Sequence, residues 1–91
     1  MQLDELRSQI DEIDKELAAL FQKRMERCAE VAKYKQENGI TVLDCSREDE
    51  VLKKVSELCD EDITPYAVEL YKAILEISRA YQENIIKTEG V

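Results

Sequence analysis

The sequence predicts an all-α fold of three helices, one long, one short and one medium, which needs a second copy of itself to close. Three observations point there. Charged residues make up 37% of the chain, whereas glycine occupies 2 positions and proline 1, the composition of helices that bury one stripe and solvate the rest. From residue 3 the apolar side chains Leu3, Leu6, Ile10, Ile13, Leu17 and Leu20 recur in alternating steps of three and four, a heptad-like seam that resumes at Val31. Nothing interrupts this run before Asn38 and Gly39, residues that commonly stop a helix.

The first helix is therefore predicted over 3–38. At that length it spans about 50 Å. A compact chain of this size has a radius of gyration near ~12 Å and a diameter of about 30 Å, so the helix overhangs its own globule. A second chain sharing the seam is the simplest remedy, and a homodimer is expected. Ser46 is the predicted N-cap of a short helix over 47–59, with Asp49 completing a capping box and Val51, Leu52, Val55, Leu58 and Cys59 as its apolar side. Thr64 is the predicted cap of a third helix over 65–87, with Pro65 as its first residue and Ile63 stapling onto Val68. Tyr71, Ile74, Ser78, Tyr81 and Ile85 give that helix heptad spacing. Residues 1–91 are expected to form a single domain.

With 21 acids against 13 bases the average surface repels phosphate, so neither nucleic acid nor an anionic membrane is an expected partner. No apolar run reaches 18 residues and the N-terminus lacks signal-peptide character, which favours a cytoplasmic protein. Cys28, Cys45 and Cys59 form no CxxC pair, and the chain has no histidine to complete a zinc site or a catalytic dyad. They are expected to be reduced thiols, and neither a metal nor another cofactor is expected. Without histidine the commonest proton-transfer group is missing. A reaction that needs no base suits such a chain.

Polar residues interrupt the seam where it should be apolar. After Leu20 the next seam position is Arg24, and a charge on a buried stripe is costly unless an anion meets it. Lys35 lies about 20° from Arg24 around the helix and roughly 16 Å along it, so the two can bracket a small ligand. Taken singly, Arg24 can pair with an acid of its own protein, and Lys35 sits near a helix end that favours cations. In the third helix Ser78 holds a seam position and Gln82 follows one turn later on the same side. A buried serine can bond its own helix backbone; glutamine has no such local escape. Arg47 and Glu48 add a cation and an acceptor from the second helix. Arg7 is about 25 Å from Arg24 along one rod, beyond the reach of a single small ligand. In an antiparallel pair it can complete the partner's site instead.

The ordered set of Leu6-Arg7, Lys23-Arg24, "AKYK" ending at Lys35, "LDCSRE" over 43–48 and "SRAYQ" over 78–82 resembles the all-helical chorismate mutases across nearly the whole chain. The resemblance implies an interlocked homodimer with two active sites, each borrowing an arginine from the other subunit. It also implies conversion of chorismate to prephenate, a step toward phenylalanine and tyrosine. By position, Arg7 of the second chain and Arg24 would bind the two substrate carboxylates. Lys35 and Gln82 would donate to the ether oxygen, and Glu48 would accept from the ring hydroxyl. Ser78 would assist at a carboxylate, while Asp44 and Arg47 would frame the loop side. This pericyclic rearrangement needs no nucleophile, metal or proton shuttle, in keeping with a chain lacking histidine. Little room is left for a fused dehydratase, dehydrogenase or amino-acid-sensing domain. Two other readings stand beside it: an isochorismate-pyruvate lyase on the same fold, and a non-catalytic helical dimerisation module.

Overall fold

In the computed structural model, which describes residues 2–89, Leu3–Glu37 form one unbroken helix, α1. Asp4 and Glu5 lie in its first turn, where carboxylates meet the positive end of the helix dipole. Its end is built by the residues the sequence marks. Gly39 takes a left-handed φ of 64°, which lets the Ile40 N–H reach back to the Lys35 carbonyl at 2.8 Å and the Gly39 N–H to that of Gln36 at 3.4 Å. Asn38 adds a side-chain bond to the Tyr34 carbonyl. The reversal carries the following loop back over Lys35, whose Nζ donates to the Val42 carbonyl at 2.7 Å.

The second helix, α2, runs from Cys45 to Leu58, starting earlier than predicted. Asp44 is its cap in place of Ser46: the Asp44 carboxylate accepts from the Arg47 N–H at 3.0 Å. The third, α3, spans Thr64–Glu89. Thr64 is its first residue and not a side-chain cap. Its hydroxyl donates backward to the Asp60 carbonyl at 3.0 Å, tying the start of α3 to the end of α2.

Both α1 and α2 pack on α3 and not on each other. In α1 the contact face begins at Arg24 and continues through Met25, Cys28, Ala29, Ala32, Lys35 and Gln36, the helical period of one buried stripe. Ala32 is fully buried, and its small side chain suits a close approach of the two helices. On α3 the buried line is Leu75, Ser78 and Gln82: Ser78 stands as predicted, whereas Leu75 and Gln82 replace Ile74 and Tyr81 on either side of it, and Tyr81 remains 37% exposed. A helix flanked on two sides buries a different stripe from one that meets a single neighbour. Val55 is the buried anchor of α2.

The first six turns of α1 have no cover. Every described residue from 2 to 23 is exposed, including the seam Leu3, Leu6, Ile10, Ile13, Leu17 and Leu20 at 43 to 60%. The described chain extends over 55 × 25 × 14 Å with a radius of gyration of 16.4 Å, well above the ~12 Å of a compact chain this long. Among the described residues only Ala32, Val55 and Leu75 are buried apolar side chains. So thin a core leaves most of the large apolar side chains of the three helices at the surface. No helix among the described residues is long and apolar enough to cross a membrane.

Candidate active site

Where the lower half of α1, the first turn of α2 and the middle of α3 converge, they leave a cleft of about 180 Å³. Seven of the predicted residues, Arg24, Lys35, Asp44, Arg47, Glu48, Ser78 and Gln82, line it together. Arg7 does not: it lies exposed on the uncovered part of α1. Val31, Val42, Val51 and Leu75 supply apolar wall between the polar groups.

Several of these side chains are already fixed. Arg24 donates from Nη1 to the Ser78 hydroxyl at 2.8 Å, a bond from α1 to α3 across the floor of the cleft. Ser78 is 4% exposed, so its partner is this guanidinium and not water. Lys35 is tethered to the Val42 carbonyl, which uses one of three ammonium protons and leaves two for the cleft. Gln82 is 8% exposed, and its Oε1 is buried without a hydrogen-bond partner.

The rim residues have local duties. Asp44 caps α2. Arg47 bonds Glu50 on the solvent side, and Lys54 first, then Arg47, hold the Glu50 carboxyl below the usual carboxylate range. Both ends of the Arg47–Glu50 pair are more than half exposed, so the pair is weak and the guanidinium is free to change partner. Glu48 is more firmly held, and by a residue sequence reasoning missed. Arg79 donates from Nη1 to both of its oxygens, at 2.9 and 3.0 Å. The one available signal was the place of Arg79 beside Ser78 and one turn before Gln82.

Four cations, Arg24, Lys35, Arg47 and Arg79, face two carboxylates, Asp44 and Glu48, in this cleft. A chain with formal net charge −8 thus carries a local surplus of two positive charges. That is the field reversal an anionic ligand requires. Together the groups present donors and an acceptor to one cleft, and the Cys28 thiol beside them accepts from Arg24 Nη1 at 3.7 Å.

Residues 6–83 match the model of the family described as chorismate mutase type II. The chain belongs to this family. A chorismate mutase of Methanocaldococcus jannaschii is 29% identical over 90 residues, which cover 93% of this chain and 88% of that relative. No solved structure matches the chain significantly. The chorismate mutase match includes Arg7 and all seven cleft residues predicted from the sequence. Membership makes the protein an isomerase of chorismate, and a cleft lined by two surplus cations suits that dicarboxylate. Neither the lyase reading nor the non-catalytic one is favoured by the family match.

Proposed function

We propose that two copies of this chain interlock through the uncovered half of α1, and that each cleft is completed by Arg7 of the other protomer. One observation carries this reading: the C-terminal half of α1 lines a cationic cleft that lacks Arg7, while its N-terminal half, with Arg7 on it, is exposed throughout residues 2–23. An apolar groove along Leu17, Leu20, Phe21, Leu70, Tyr71 and Ile74 runs next to Arg24 and is open for a partner helix. Covering six half-exposed seam residues would contribute on the order of 5–10 kcal/mol per chain before the costs of association. The whole chain acts as one catalytic unit, and its free thiols Cys28, Cys45 and Cys59 suit the reducing cytoplasm. If folding and association are one event, the melting temperature should rise with protein concentration. Scanning calorimetry over a hundredfold range checks this, and an invariant Tm contradicts it.

Within the cleft, Arg24 and the partner's copy of the residue at position 7 receive the two carboxylates of chorismate. The Arg24–Ser78 bond holds that guanidinium in place before substrate arrives. Lys35 and the Gln82 amide donate to the ether oxygen as its bond to carbon breaks and charge collects there. Glu48 accepts from the ring hydroxyl, and Asp44 and Arg47 close the rim. Rate enhancement then comes from holding the folded substrate conformer and from donors already aimed at the developing charge. Conversion of chorismate to prephenate by the purified protein tests the reading. Release of salicylate and pyruvate from isochorismate, with chorismate untouched, would replace it.

Gln82 gives this mechanism a pH signature. An amide donates its N–H at any ordinary pH, whereas a glutamate must first be protonated. Gln82→Glu should therefore keep activity only as the pH falls toward about 5, nearer the carboxyl range, while the parent enzyme stays flat between mildly acidic and mildly basic pH. The kcat/KM profile of both proteins measures this. A variant whose profile matches the parent's would remove Gln82 from contact with the ether oxygen.

A further inference from the structure

Arg79 belongs to none of the roles just described, yet among the described residues it is the only hydrogen-bond partner of the Glu48 carboxylate. Its Nη1 sits almost equally far from the two carboxylate oxygens, so the bond tethers the carboxyl end of Glu48 to α3 and fixes where that acceptor lies in the cleft. Each oxygen gives one lone-pair direction to Arg79 and keeps another for a second donor. The pair links α2 to α3 and is mostly screened from solvent, with Arg79 30% and Glu48 22% exposed. Surface pairs such as Arg27–Glu30 and Lys72–Glu69 are more than half exposed and have no cleft beside them.

Charge gives a second argument. Glu48 is a carboxylate in a cleft meant for a dianion, and unaccompanied it would repel the substrate whose hydroxyl it is to read. Without Arg79 the cleft surplus falls from two positive charges to one. With Arg79 in contact, Glu48 is an acceptor whose negative charge is already matched. A neutral side chain at 79 would leave a half-buried acid both unpaired and free to turn.

We propose that Arg79 is a positioning residue: it holds Glu48 as an oriented, charge-compensated acceptor for the substrate's ring hydroxyl, and so governs recognition of that hydroxyl without touching the substrate. This rests on the assignment of Glu48 to the hydroxyl. Arg79 then acts only through Glu48, and its effect disappears when Glu48 or the hydroxyl is gone.

A double-mutant cycle tests it, with kcat and KM measured for the parent, Arg79→Met, Glu48→Gln and the double variant. Arg79→Met is expected to lower kcat/KM by about 10- to 100-fold, largely through KM, whereas adding it to Glu48→Gln changes kcat/KM by less than about threefold, the non-additivity of residues in one network. On a chorismate analogue with hydrogen in place of the ring hydroxyl, the parent and Arg79→Met should agree within about threefold. Arg79→Lys, which keeps the charge but holds the carboxylate less rigidly, should recover part of the loss. Losses that multiply in the double variant, or that persist undiminished on the analogue, would mean that Arg79 contacts substrate or supports only the fold, and would overturn the proposal. Full activity in Arg79→Met would overturn it too. A parent enzyme inert toward chorismate would sink the underlying assignment, visibly and before any variant is made. Should Arg79→Met melt too low to assay, Arg79→Lys decides: its ratio of activities on chorismate and on the analogue must fall below the parent's, and an unchanged ratio counts against the role.

Discussion

Lys35→Ala is expected to lower kcat by about 100- to 1000-fold, the effect of deleting one donor aimed at developing oxyanion charge. In the mechanism proposed above, the reaction offers the protein little else to stabilise. No covalent bond to the enzyme forms, and no proton moves, so a missing donor is not replaced by another group. The structure gives reason to expect the fold to survive. Lys35 is only partly buried, and among the described residues the one hydrogen bond of its side chain is to the Val42 carbonyl in the loop before α2. Losing that bond should cost on the order of 1 kcal/mol. Steady-state kinetics beside a thermal melt separate the two effects. Retention of most turnover in a folded Lys35→Ala protein would remove the lysine from the chemistry.

Ile13→Glu should be at least as damaging, for a different reason. In the isolated protomer Ile13 is 55% exposed, among exposed neighbours on both sides. Substitutions at such surface sites usually change stability by no more than about 0.5 kcal/mol. If the seam is instead the core of an intertwined dimer, the glutamate is buried against another apolar helix without a cation. The expected outcome is loss of the dimer and, with it, of the folded protomer and all activity. Circular dichroism and analytical ultracentrifugation read this directly. A variant that stays helical, dimeric and active would show that α1 pairs elsewhere.

The sequence made the long helix legible because two independent local signals agree there. The three-four spacing from Leu3 to Leu20 and the Asn38-Gly39 stop both depend only on neighbours in the chain. Part of the cleft was legible for a related reason: Arg24 and Ser78 are polar residues at positions where the period demands apolar ones, Gln82 follows Ser78 one turn later, and that conflict marks function, whereas Asp44 was reached only through the family resemblance. The caps were harder. Asp44 and Ser46 are both good N-cap residues two positions apart, and only the bond from the Arg47 N–H to Asp44 decides between them. Thr64 has the right chemistry for a cap, but its hydroxyl finds the Asp60 carbonyl in the tight turn that precedes it. The buried line of α3 keeps Ser78 but takes Leu75 and Gln82 in place of Ile74 and Tyr81, because its buried face is set by two neighbours, not by its own period. Arg79 was invisible for the same reason. Its acid is 31 residues away, and no periodicity says that α2 will bring Glu48 to that side of α3.

The central claim is that each active cleft is made by two chains, with position 7 of one serving Arg24 and Lys35 of the other. Arg7→Ala and Lys35→Ala should each inactivate every site in the homodimers proposed above. After the two inactive proteins are mixed, unfolded together and refolded, half of the dimers hold one chain of each kind, and each such dimer has one site with both residues intact. Activity should return to about a quarter of the parent's value per chain, given random pairing of the two chains in a twofold dimer. No recovery, in a mixture shown by mass spectrometry to contain the mixed dimer, would contradict a shared site.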